Sequence, residues 1–142
     1  MKKFITALIL TALVSACSST ETMTRQEKNL AYQDYITKQQ LPSLDKVRTF
    51  KMRGWQALSD EFLIVSAAHK KQYLLELEGF CPDFDFSQGI VIKQSNHSSL
   101  TTKFDSVAAL NAPGVKCFIK AIHPVTREQV QELTAIGKPE AA

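Results

Sequence analysis

The sequence predicts an α+β fold that is mainly β: an antiparallel curled sheet or small barrel of about six to seven strands, with a helix before it and a short helix after it. Three observations carry this. A capped segment with one apolar side occupies residues 24–41, the pattern changes from Arg48 to short β-branched and aromatic runs separated by turn residues, and a second capped segment follows Thr126. The 142 residues are 44% hydrophobic and 22% charged, which excludes collagen-like, coiled-coil and disordered classes. One domain is expected at this length.

Residues 1–16 come first. Lys2 and Lys3 precede Phe4 to Val14, an apolar run interrupted only by two Thr, and Ser15-Ala16 follows. The run is shorter than the roughly 20 residues that span a bilayer. A charged start, apolar centre and small-residue end are the pattern of a secretory signal peptide. Its end, Val14-Ser15-Ala16-Cys17, resembles the bacterial lipobox. The resemblance implies a diacylglyceryl group, with acyl chains such as palmitate, on the Cys17 thiol and cleavage before that residue. With Ser18 rather than Asp next, it also implies sorting to the outer membrane, on its periplasmic face. Two or three acyl chains anchor durably where one anchors marginally. The membrane, reached through lipid, is therefore an expected partner. Once Lys2 and Lys3 leave with the leader, 15 basic residues face 14 acidic ones, so no basic excess remains and no nucleic acid is expected.

With Cys17 lipidated, Cys81 and Cys117 remain. In an oxidising compartment two such cysteines are expected to pair. They are far apart and form no Cys-x-x-Cys, so a redox dithiol is disfavoured. His69, His97 and His123 are scattered, and neither a metal nor another cofactor is expected.

Residues 17–23 read as a lipidated Cys and a polar tether. In Thr24-Arg-Gln-Glu27 the Thr and Glu side chains each satisfy the other's backbone N–H, a capping box that starts a helix. Leu30, Ala31, Tyr32, Tyr35 and Ile36 give it an apolar side, and Leu41-Pro42 is expected to end it. Whether this helix packs on the domain or stands off as a stalk is open. The β-rich domain with its C-terminal helix is expected over 48–136. Phe50 and Met52 alternate, and Gly54 suggests a bulge before Trp55. Phe62 to Ser66 is apolar on both faces, as in a central strand, and Tyr73, Leu75 and Leu77 share one face of the next; His69-Lys70-Lys71 joins the two as a hairpin. Pro82 argues for a loop over 79–88, with aromatics folded over the core. Gly89–Lys93, Leu100–Phe104 and Val107–Leu110 read as further strands. Over Val115–Ile122, alternation puts Val115, Cys117, Ile119 and Ala121 on one face and Phe118 and Ile122 on the other. Thr126 with Gln129, Val125 opposite Val130, and Gly137 give the last helix a cap, a staple and a stop.

Gly54-Trp55-Gln56-Ala57-Leu58, Tyr73-Leu-Leu-Glu-Leu77, Cys81-Pro-Asp-Phe84, Phe104-Asp105-x-Val107 and Cys117-x-Ile119-x-x-Ile122-x-Pro124-Val125 occur in that order. Over roughly residues 30–135 the string resembles a family of small exported bacterial proteins, many of them lipoproteins, known only as a domain of unknown function. The resemblance implies an exported single domain with two paired cysteines. It supplies no catalytic residues.

Candidate ligand or partner contacts are Trp55, Phe84, Asp83, Asp85 and His97. Asp83 and Asp85 are an acid pair too poor in oxygen ligands for calcium or magnesium. His97 sits among serines without a Gly-x-Ser-x-Gly elbow, and Trp55 after Gly54 reads first as a core residue. The expectation is a non-enzymatic structural or interaction lipoprotein, with an envelope protein as candidate partner. The alternative is a periplasmic module that binds a small ligand in a cleft near Trp55 and Phe80–Phe86. A hydrolase using His97 or the Asp83/Asp85 pair is the least favoured reading.

Overall fold

A computed structural model describes residues 23–79, 81 and 84–138. Cys17, Phe80, Pro82 and Asp83 lie outside the described residues. In chain order the elements are α1 (Arg25–Lys38), β1 (Lys46–Val47), β2 (Met52–Ala57), β3 (Phe62–Ala67), β4 (Gln72–Leu77), β5 (Ile90–Lys93), β6 (Leu100–Thr101), β7 (Ser106–Ala109), β8 (Cys117–Val125) and α2 (Arg127–Ala135). The fold is α+β and mainly β. Six strands form one antiparallel sheet in the order β2-β3-β4-β8-β7-β5, and β1 pairs with β6 beside it. The sheet curls until it is nearly closed, like a barrel.

The curl follows from where apolar side chains meet. Trp55 and Ile92, on the two edge strands, pack against one interior cluster built on Leu63, Val65, Leu75, Val107 and Ile119. A flat sheet would hold its edges apart; here both line the same core. The outer face of β3 and β4 is apolar too. Phe62, Ile64 and Leu74 are buried under Tyr32 of α1 and Leu133 of α2. This is the physical reason for the unbroken apolar runs of these strands: they have no solvent side.

Both helices begin as read. Thr24 and Glu27 form a complete capping box on α1, and Thr126 and Gln129 form one on α2. The first helix packs on the domain through Tyr32, Tyr35 and Ile36, and Tyr35 donates a hydrogen bond to Glu132 of α2. It stops at Lys38 rather than running to Leu41-Pro42. Leu41 N–H donates to the Ile36 carbonyl and Gln40 N–H to that of Thr37, with Gln40 at φ 49. This is a Schellman turn, and its hydrophobic contact is between Leu41 and Ile36, both in the helix-side cluster.

Two strand details turn on partners. The bulge at Gly54 is present: the β2–β3 register shifts between Met52 and Gly54. In β8 the expected alternation fails after Ile119. Leu77 faces Ile119 but Glu76 faces Ala121, so Lys120 is an extra residue in the ladder. That bulge returns Ile122 to the interior beside Ile119 and Cys117, although strict period-two spacing places it outside.

The disulfide joins Cys81, in the loop after β4, to Cys117 at the start of β8, with S–S 2.09 Å. It ties the middle of the sheet to the loop that carries Phe84–Phe86.

Candidate functional site

The described residues that bring chemistry together most closely surround the start of α1. Arg25 and Lys28 of α1 meet the β2–β3 turn and the 84–86 loop there. Between them is a cleft of about 180 Å³ lined by Arg25, Lys28, Asp60, Phe84, Asp85 and Phe86, with the buried Cys81 beside them. Phe84 is buried in the interior cluster, whereas Phe86 is 79% exposed. Asn29 of α1 donates to Asp60 at 2.8 Å, which keys the helix to the turn. Beneath the helix, Tyr32 donates to the Leu58 carbonyl, and burial together with the nearby Asp85 charge pushes its hydroxyl up to about 12. Two basic and two acidic groups at the rim leave no net charge to select an ion.

The cleft is smaller than the roughly 300–1,000 Å³ of ordinary small-molecule pockets. Trp55 does not line it. That indole is half-buried on β2, across from Val65, and packs on the interior cluster. Thus Phe84 and Asp85 come together at the cleft while Trp55 faces the core, and Asp83 lies outside the described residues. His97 is elsewhere, exposed in the turn between β5 and β6. His123 is buried within β8, where its Nδ1 donates to the Pro42 carbonyl at 3.0 Å and its Nε2 has no partner among the described residues.

Two polar clusters escape the sequence reading. Asp105 is fully buried and accepts from the Ser95 N–H at 2.7 Å, the Ser95 hydroxyl at 2.7 Å and the Thr101 N–H at 2.6 Å. It organises the loop that carries His97, which makes that loop a structural unit. Its one sequence signal is the Phe104-Asp105-x-Val107 step. The second cluster is Glu76 on β4, which accepts from Gln33 of α1 at 2.9 Å and Lys120 of β8 at 2.8 Å. The Glu76 hydrogen bond and charge raise Lys120 above its usual value. Nearby, burial and then Asp60 and Glu76 hold Glu61 above the ordinary carboxylate value, with Lys120 opposing. Glu76 does not announce its burial in the sequence, because a charged residue in a strand reads as solvent-facing until the covering helix is placed.

Among the described residues, no group of three or more His, Cys, Asp or Glu is placed to hold a metal ion. No helix of the described residues is long and apolar enough to cross a membrane. Comparison with known proteins finds no matching curated protein and no matching solved structure. One family model matches, described as a family of unknown function, DUF6491, and it covers residues 1–136. A match over that span, with the ordered motifs from Gly54 to Val125 inside it, places this chain in the family of unknown function DUF6491.

Proposed function

We propose that this chain is a lipoprotein of the outer membrane, anchored at its periplasmic face through Cys17, and that its domain works as a structural or interaction module rather than as an enzyme. The observation that carries the reading is the leader: Lys2-Lys3, the apolar run to Val14, and Val14-Ser15-Ala16-Cys17 before a polar stretch and a capped helix. The Cys81–Cys117 disulfide supports it, because such bonds persist in oxidising compartments. The separation of the reactive side chains supports it further. Asp85 is at the cleft, His97 is in an exposed turn, and His123 is buried in β8 with a backbone carbonyl as partner. A general base needs a nucleophile or an orienting acid within hydrogen-bond reach.

The test is Cys17→Ala in the full-length chain, expressed with labelled palmitate. The expected result is loss of label and release from the membrane fraction. An unlabelled wild type, or a variant that stays in the membrane fraction, overturns the anchor. The small-ligand reading keeps one point in its favour, the cleft beside Phe84–Phe86, whose volume admits a ligand of only a few heavy atoms.

A further inference from the structure

Three large apolar side chains are exposed around the start of α1. Leu30 is 62% exposed, Phe86 79% and Leu110 56%. Shared grooves link them. Arg25 lines both the cleft with Phe86 and a shallow groove with Leu30. Phe86 in turn lines a second groove with Leu110. The rim therefore runs Leu30, Arg25, Phe86, Leu110, passing the end of the helix nearest the N-terminus. Two structural devices hold it there. The disulfide fixes the loop bearing Phe86, and the Ser87 hydroxyl accepts the Leu110 N–H at 3.1 Å.

Six peptide links separate Cys17 from Met23, a reach of about 20 Å at full extension. A chain anchored at Cys17 thus keeps the start of α1 close to the bilayer surface. The rim adjoins that end of α1, so a short tether brings it within reach of lipid. Exposed aromatic and aliphatic side chains beside an anchor suit the headgroup–acyl boundary.

We propose that Leu30, Phe86 and Leu110 form a seating rim that rests on the phospholipid bilayer holding Cys17. The inference rests on the lipoprotein reading and adds an orientation to it: the domain lies on the membrane instead of swinging free on its tether. Arg25 and Lys28 at the rim are balanced by Asp60 and Asp85. Seating is therefore driven by apolar contact and is insensitive to salt, unlike a polybasic attachment.

The test uses full-length lipidated protein in phosphatidylethanolamine–phosphatidylglycerol vesicles containing brominated lipid. Phe86→Trp is made in the native Trp55 background, so the core is untouched and the wild type reports Trp55 alone. The expected result is a blue-shifted new indole signal quenched ~threefold more than that of Trp55, unchanged by high salt. Palmitate label and vesicle flotation are measured on the same sample. Label and flotation without quenching of the new indole overturn the rim while leaving the anchor standing. Loss of label and flotation overturns the anchor as well. A blue shift without quenching, with a doubled sedimentation mass, assigns the rim to a second copy of the chain and overturns the proposal.

Discussion

Removing the Asp105 carboxyl leaves the part-buried Ser95 and Thr101 N–H groups without their acceptor. Buried donors left unpaired cost about 1–3 kcal/mol each. Asp105→Ala is therefore expected to destabilise the domain by ~2–4 kcal/mol in denaturant titration. An effect within the error of the titration would show that water replaces the carboxyl. Glu61 has the opposite sign. Its folded-state value is raised by burial and acidic neighbours, so its contribution to stability is full below the ordinary carboxylate range and declines as pH rises through the raised value. Glu61→Gln is expected to raise Tm at pH 7, with the gain shrinking toward pH 4 in a thermal melt series; a constant gain would exclude a titration origin. At this scale the sequence is readable only where a residue's chemistry is local. Cys81 and Cys117 could be paired because two cysteines in a chain whose leader reads as a secretory signal have few fates. The roles of Asp105 and Glu76 depend on which loop and which helix come to lie against them, and no local pattern records that.

Among the elements, the β3–β4 hairpin carries a local conflict. His69 and Lys70 both have φ 59 in its turn. Such turns favour Asn-Gly, and left-handed backbone costs a residue with a Cβ about 1–2 kcal/mol. Replacing the pair by His69→Asn with Lys70→Gly is expected to stabilise the domain by ~1 kcal/mol in equilibrium unfolding. Gln40, at the end of α1, is in the same region of backbone space. The helix starts were legible because capping boxes are short-range devices, complete within four residues. The end of α1 was not, because a Schellman turn closed by Leu41 against Ile36 precedes the proline. The phase of β8 was hidden for a different reason. A bulge at Lys120 exists only relative to β4, so spacing along one strand cannot reveal that Ile122 joins Ile119 inside.

Across the whole molecule, both faces of the central strands are covered, one by the closed interior and the other by α1 and α2. The disulfide locks this arrangement between residues 36 apart. Opening it in Cys81→Ser with Cys117→Ser is expected to cost ~2–4 kcal/mol. Urea titration of the double variant against the oxidised wild type measures this. The fold class was legible from run lengths and turn residues, whereas the strand order was not, since β4 pairs with the distant β8 and β5 pairs with β7 across the intervening β6. The cleft was half legible. The aromatic loop that lines it could be picked out, but Arg25 and Lys28 join it only because α1 folds back onto the domain, and Asp60 because the β2–β3 turn accepts the Cys81 N–H. The proposed role rests chiefly on the proposed anchor at Cys17. Mass analysis of the N-terminal peptide of the mature protein tests this most directly. The account predicts a chain that begins at Cys17 and carries a diacylglyceryl group on its thiol. A mature chain beginning at any other residue, or an unmodified Cys17, would contradict it.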